Sequence, residues 1–145
     1  GDYNFAPGVY IVDSGTFRVN AGAHLTGHGV TFYTTGGAKI AFNGAATIDV
    51  SAPTSGTYSG IAFMGDRDDA GVEHKFNGTA DSLITGAIYG AASDVVFNGN
   101  FSGKDGCMQL VASTVHLLGN TNISTDCTGK GLKWAQVPGS VRMVE

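Results

Sequence analysis

AIYGAASDVVFNGNFSGKDG, residues 87–106, is followed directly by CMQLVASTVHLLGNTNISTD, residues 107–126, and the two stretches share one layout. Each opens on a short strand-forming run and turns through small or polar residues. Each then enters a second run, Val95-Val96-Phe97 or Val115-His116-Leu117-Leu118, and meets an Asn/Gly corner, Asn98-Gly99 or Gly119-Asn120. Toward the N-terminus, residues 8–27, 29–50 and 60–86 repeat the layout. Their corners are Val19-Asn20-Ala21-Gly22, Phe42-Asn43-Gly44 and Phe76-Asn77-Gly78. A third short strand closes most units, as at Thr47-Ile48-Asp49-Val50 and Ser82-Leu83-Ile84. A fixed period of roughly 20 residues is the mark of a repeat architecture.

The corner chemistry favours winding. Gly and Asn tolerate positive φ, so a chain turns sharply there at low steric cost. Asn at equivalent corners (Asn20, Asn43, Asn77, Asn98, Asn120) can also bond up and down a stack as a ladder. Asn-Gly is equally a hairpin signal, and hairpins would give an antiparallel sandwich. A period near 20 with three strands per unit fits a coil better. Helix signals are nearly absent, because Gly interrupts almost every window. The expected fold is all-β: a single-stranded parallel β-helix of about five rungs, right-handed by the general twist of strands. Residues 1–145 form one domain. Residues 1–7, with Tyr3 and Phe5, cover the first edge; residues 8–127 form the rungs. Residues 128–145 form a tail, with Leu132 to Val137 crossing the last rung, Trp134 as an apolar lid and Pro138 blocking further pairing.

Composition agrees with a folded chain. Gly numbers 23 and Pro 3, charged residues make up 14% and apolar residues 42%, and the net charge is −4. Disorder would need lower hydrophobicity or a higher charge. The eight Lys and Arg residues are spread singly, which argues against a nucleic-acid partner. No apolar run is long enough to span a bilayer. The chain opens at Gly1 with no signal peptide, and is read as the mature or excised part of a longer precursor. Cys107 and Cys127 lie one period apart, so stacked coils would bring them within disulfide reach and an oxidising compartment is expected.

The third unit is longer than its neighbours by about seven residues, an outward loop being the expected result. The excess falls at Gly65 to Lys75 and holds Asp66, Arg67, Asp68, Asp69, Glu73 and His74. This is the candidate contact loop. A solvated loop of self-paired charges and a divalent-ion site at Asp66, Asp68 and Asp69 are the competing readings, but no calcium-cage spacing is present. Gly27-His28-Gly29 and Asp68-Asp69 echo parts of the polygalacturonase signature, yet their order is reversed and its other elements are absent. The histidines show no metal-ligand spacing. The Asn-x-Ser/Thr sequons at Asn77, Asn100 and Asn122 are a by-product of Asn-rich corners. No catalytic residue, metal or cofactor is assigned. A carbohydrate-binding solenoid is the alternative, with Tyr33, Tyr58 and Tyr89 as stacking faces if they line up outside. A purely structural repeat of a larger surface protein is the third reading.

The chain also resembles the C-terminal β-solenoid region of TadG-like proteins of bacterial Tad (Flp) pilus assembly systems. The matching strings are Pro7-Gly8-Val9-Tyr10-Ile11-Val12, Ala52 to Ile61 leading to Asp66-Arg67, Thr85-Gly86-Ala87-Ile88-Tyr89, and the Cys107–Cys127 pair. The ending Val141 to Glu145 is similar too. The resemblance implies an envelope-exposed, non-catalytic module with its membrane anchor upstream. Its partners would be other pilus or envelope proteins, or a surface ligand, with self-association through the end rungs.

Overall fold

The computed structural model describes residues 1–101 and 106–132. Among these there is no helix, and eleven strands pair in parallel throughout. The strands are β1 (Asp2–Phe5), β2 (Gly8–Asp13), β3 (Thr16–Val19), β4 (His24–His28), β5 (Val30–Thr35) and β6 (Lys39–Phe42). They continue with β7 (Thr47–Ser51), β8 (Ile61–Gly65), β9 (Glu73–Gly78), β10 (Leu83–Gly99) and β11 (Met108–Leu117). Strands successive in sequence lie on different faces, and each pairs with its equivalent one coil later. The chain is a β-solenoid of about five turns.

Three faces result. The first carries β1, β4, β7 and the start of β10. The second carries β2, β5, β8, the middle of β10 and the start of β11. The third carries β3, β6, β9 and the ends of β10 and β11. β10 turns both corners without leaving the ladder, with an irregularity between Gly90 and Asp94.

Alternation along each strand sends one side chain in and the next out. Equivalent inward residues therefore stack along the axis. On the third face Val19, Phe42, Phe76 and Phe97 form one inward column, each 2% exposed or less. Phe76 stacks on Phe97 at 5.5 Å, and Phe42 meets Phe76 edge-on at 5.6 Å. The second face adds Phe32 stacked on Phe63 at 5.3 Å. No single coil could bury these rings, so stability is shared between neighbours.

Residues 1–7 differ from the expected cover. β1 is a further strand of the first face, paired to β4, and only Phe5 acts as a cap, edge-on to Tyr10 at 4.8 Å and Phe32 at 5.0 Å. At the other end Val115 and Leu117 continue the inward columns of Val95 and Phe97, but stand 44% and 54% exposed. Cys107 and Cys127 are bonded, with Cα atoms 4.7 Å apart, as stacking of adjacent coils requires. Leu132 packs against the core. The rest of the expected lid, Lys133 to Val137, and Pro138 lie outside the described residues.

Candidate functional site

The coil that leaves the first face at β7 departs twice from the common period. The sequence pointed to one excursion, at 65–75. The structure has two, residues 52–60 before β8 and residues 66–72 after it. They flank the second face on either side of the same strand. The first has no marker in the sequence, because Ser51 to Ser59 falls between repeat units and carries none of the charge that marks the second.

The first excursion closes on itself, with Gly60 N–H donating to Pro53 C=O at 2.7 Å and Ile61 N–H to Tyr58 C=O at 3.0 Å. The second is clamped to the preceding coil. Thr35 hydroxyl donates to Asp66 at 2.8 Å, Gly37 N–H donates to Asp69 Oδ1 at 3.0 Å, and Asp68 N–H donates back to Asp66 at 3.0 Å. The Asp68 amide, then the Thr35 hydroxyl, holds the Asp66 carboxyl below its ordinary pKa. Burial, reinforced by the Asp66 carboxylate, raises the Tyr33 phenol above its ordinary value.

Between the excursions runs an outward column: Ile11, Tyr33, Met64, Tyr89 and Val111, each paired to the next in adjacent coils. Tyr58 leans onto Tyr33 with ring centroids 6.3 Å apart. Arg67 lies over the Tyr89 ring at 5.8 Å, and its Nη2 donates to the Tyr89 hydroxyl at 3.4 Å. The guanidinium on the ring is a cation–π contact. Each excursion thus braces one tyrosine, and Tyr33, Tyr58 and Tyr89 gather on one outer face.

The candidate contact loop divides on inspection. Arg67 and Asp68 are exposed, whereas Asp66 and Asp69 are used to anchor the loop. Glu73, His74 and Lys75 belong to β9 instead. Glu73 is exposed and pairs with Lys75 at 3.1 Å. His74 is a correction: it points inward, 5% exposed, and its Nδ1 accepts the Ile40 N–H at 3.2 Å. Strand alternation requires this, because His74 takes the inward position between Ile40 and Val95, where Glu73 and Lys75 face out. Burial lowers the His74 pKa, opposed by the nearby Asp69 carboxylate. Among the described residues no group of three or more His, Cys, Asp or Glu could hold a metal ion. His28 lies on the first face, 3.7 Å from Asp49 and 3.2 Å from Ser51, while Asp68 and Asp69 sit beyond the second; the polygalacturonase-like strings are not brought together.

The corner asparagines form a column, but not the expected ladder. Asn77 pairs with Asn98, and Asn20 and Asn43 follow in register above them. Two of the carbonyl oxygens turn to their own coils instead: Asn43 Oδ1 accepts Ala45 N–H at 3.2 Å and Asn98 Oδ1 accepts Gly99 N–H at 2.7 Å, while Asn77 Oδ1 is buried with no partner among the described residues. Asn120 leaves the column. Leu118 follows Asn98, and Asn120 Nδ2 donates to Asn100 Oδ1 at 3.5 Å. The glycine stays in register, Gly99 with Gly119, but the asparagine follows it in the last coil instead of preceding it, which moves the side chain two positions along.

No family model, curated protein or solved structure matches the chain.

Proposed function

We propose that this chain is a non-catalytic adhesion or assembly module of a bacterial envelope, the role implied by its resemblance to the TadG-like pilus solenoids. Its contact surface is the second face, where Tyr33, Met64 and Tyr89 stand in line between two excursions that brace them. That braced column is the observation supporting the reading. Tyr, Met and Arg are the residue types enriched at protein interfaces, and rings held in place lose little entropy on binding. Ile11, 69% exposed, and Val9, 46% exposed, extend the apolar strip by one coil. The Cys107–Cys127 bond fits an oxidising compartment, as an envelope-exposed module needs.

The test is a Tyr89→Ala, Arg67→Ala double substitution in the full-length protein of the producing bacterium. Surface attachment and pilus number should fall while the protein remains folded and exported. Unchanged attachment and pilus number would remove this face from the reading. A second reading is favoured by the same three tyrosines: rings on one outer face can stack on sugars, and a glycan array reports that directly.

A further inference from the structure

The third face carries a different kind of surface, unused by the reading above. Its outward positions form two adjacent columns. One runs Arg18, Ala41, Lys75, Val96, His116; the other is Asn20, Asn43, Asn77, Asn98, Leu118. Two open depressions meet here and share Lys75 and Asn77. The upper is also lined by Arg18, Asn20 and Asn43, the lower by Glu73, Val96, Asn98 and His116. Together they make a trough along the solenoid axis.

The trough is rich in donors. Asn43 and Asn98 spend their carbonyl oxygens on their own backbones, which turns both amide nitrogens outward. Among the described residues the side-chain nitrogens of Asn20, Asn43, Asn77 and Asn98 have no partner. They repeat once per coil, about 4.8 Å apart. Beside them the cations come at alternate coils. Arg18 has no acidic partner among the described residues, and Lys75 shares its charge with Glu73. Small or apolar residues, Ala41 and Val96, separate the basic positions. Asp94, the other nearby carboxylate, accepts from Thr114 at 2.6 Å.

We infer that this trough binds an extended acidic polysaccharide lying along the axis, with one carboxylate per disaccharide repeat. Hydroxyl and ring oxygens of each sugar meet the asparagine nitrogens. The carboxylate of every second sugar meets Arg18 or Lys75, about 10 Å apart by two strand spacings. A polymer charged at every residue would place half its anions against Ala41 and Val96. Nucleic acid is disfavoured further because Phe42, the one Phe, Tyr or Trp among the trough's lining residues, is only 2% exposed, and single strands are held by stacking as well as charge.

The experiment uses the intact chain and titration calorimetry with hyaluronan oligosaccharides, which carry one carboxylate per disaccharide. Polygalacturonate oligosaccharides, dextran and single-stranded DNA serve as comparisons. Hyaluronan oligosaccharides should bind tightest and dextran should not bind. Arg18→Ala and Lys75→Ala should each weaken binding by about tenfold, as loss of one charge-assisted hydrogen bond predicts. Lys130→Ala, which removes an equal charge elsewhere, should leave the affinity unchanged. Unchanged far-UV circular dichroism ensures that the losses are local; Arg18→Gln replaces any variant that misfolds. Equal binding of dextran or DNA, indifference to Arg18 and Lys75, or no binding of hyaluronan would each overturn the assignment.

Discussion

Truncation at two places in one inward column should differ sharply in cost. Phe97 and Leu117 are partners in adjacent coils on the third face, yet Phe97 is 0% exposed and Leu117 is 54% exposed. Phe97 lies between Phe76, at 5.5 Å, and Phe101, at 5.3 Å, with the next coil beneath. Phe97→Ala therefore opens a void walled by rigid backbone on successive coils. It should cost about 3–5 kcal/mol, toward the upper end because the ring contacts are lost too. Complete burial of a Leu side chain is worth about 1.5–3 kcal/mol, so Leu117→Ala, with half that burial, should cost about 1 kcal/mol. In urea unfolding followed by circular dichroism, the midpoint should drop strongly for the first variant and slightly for the second. The Phe97→Ala melting temperature should fall by on the order of 10 °C. Equal losses for the two variants would refute coil-by-coil burial as the source of stability.

Two further outcomes follow from the same stacking. Replacing both Cys107 and Cys127 by Ser opens a loop of 20 residues and should cost about 3 kcal/mol, with hydrogen exchange rising first in residues 108–127; a uniform rise over all coils would contradict nearest-neighbour stability. His74 has a folded-state pKa below its ordinary 6.5, so its contribution to stability is complete above that value and is lost as pH falls toward the lower one. Protonation at Nδ1 also breaks the bond from Ile40 N–H. The melting temperature should therefore decline below about pH 6.5, and His74→Gln should flatten that decline; an unaltered slope would assign it to other groups.

The parallel architecture was legible because Phe76-Asn77-Gly78 and Phe97-Asn98-Gly99 are near copies, and they prove to be partners residue for residue. The cysteine spacing was legible for the same reason. Orientation was harder to see. His74 sits in a charged stretch, and only strand alternation, with Phe76 inward two residues later, shows that it must point in. The anchoring of Asp66 and Asp69 depends on Thr35 and Gly37, one coil earlier, which no local pattern reveals. Tyrosine spacing in the sequence does not by itself align the three rings. Their alignment rests on the pairing of Tyr33 to Met64 and Met64 to Tyr89, together with the slip of one residue between Ile61 and Phe63.

Hydrogen bonds between coils point along the solenoid axis, and this governs how the molecule bears a load. Tension applied lengthwise would strain the bonds of one coil at a time, so the body should unravel from an end instead of shearing apart at once. The Cys107–Cys127 link acts as a rivet across the closing turn. A pull arriving from beyond residue 127 would meet a covalent stop before it could peel β11 from β10, leaving the aromatic interior intact under forces that would open an unriveted coil.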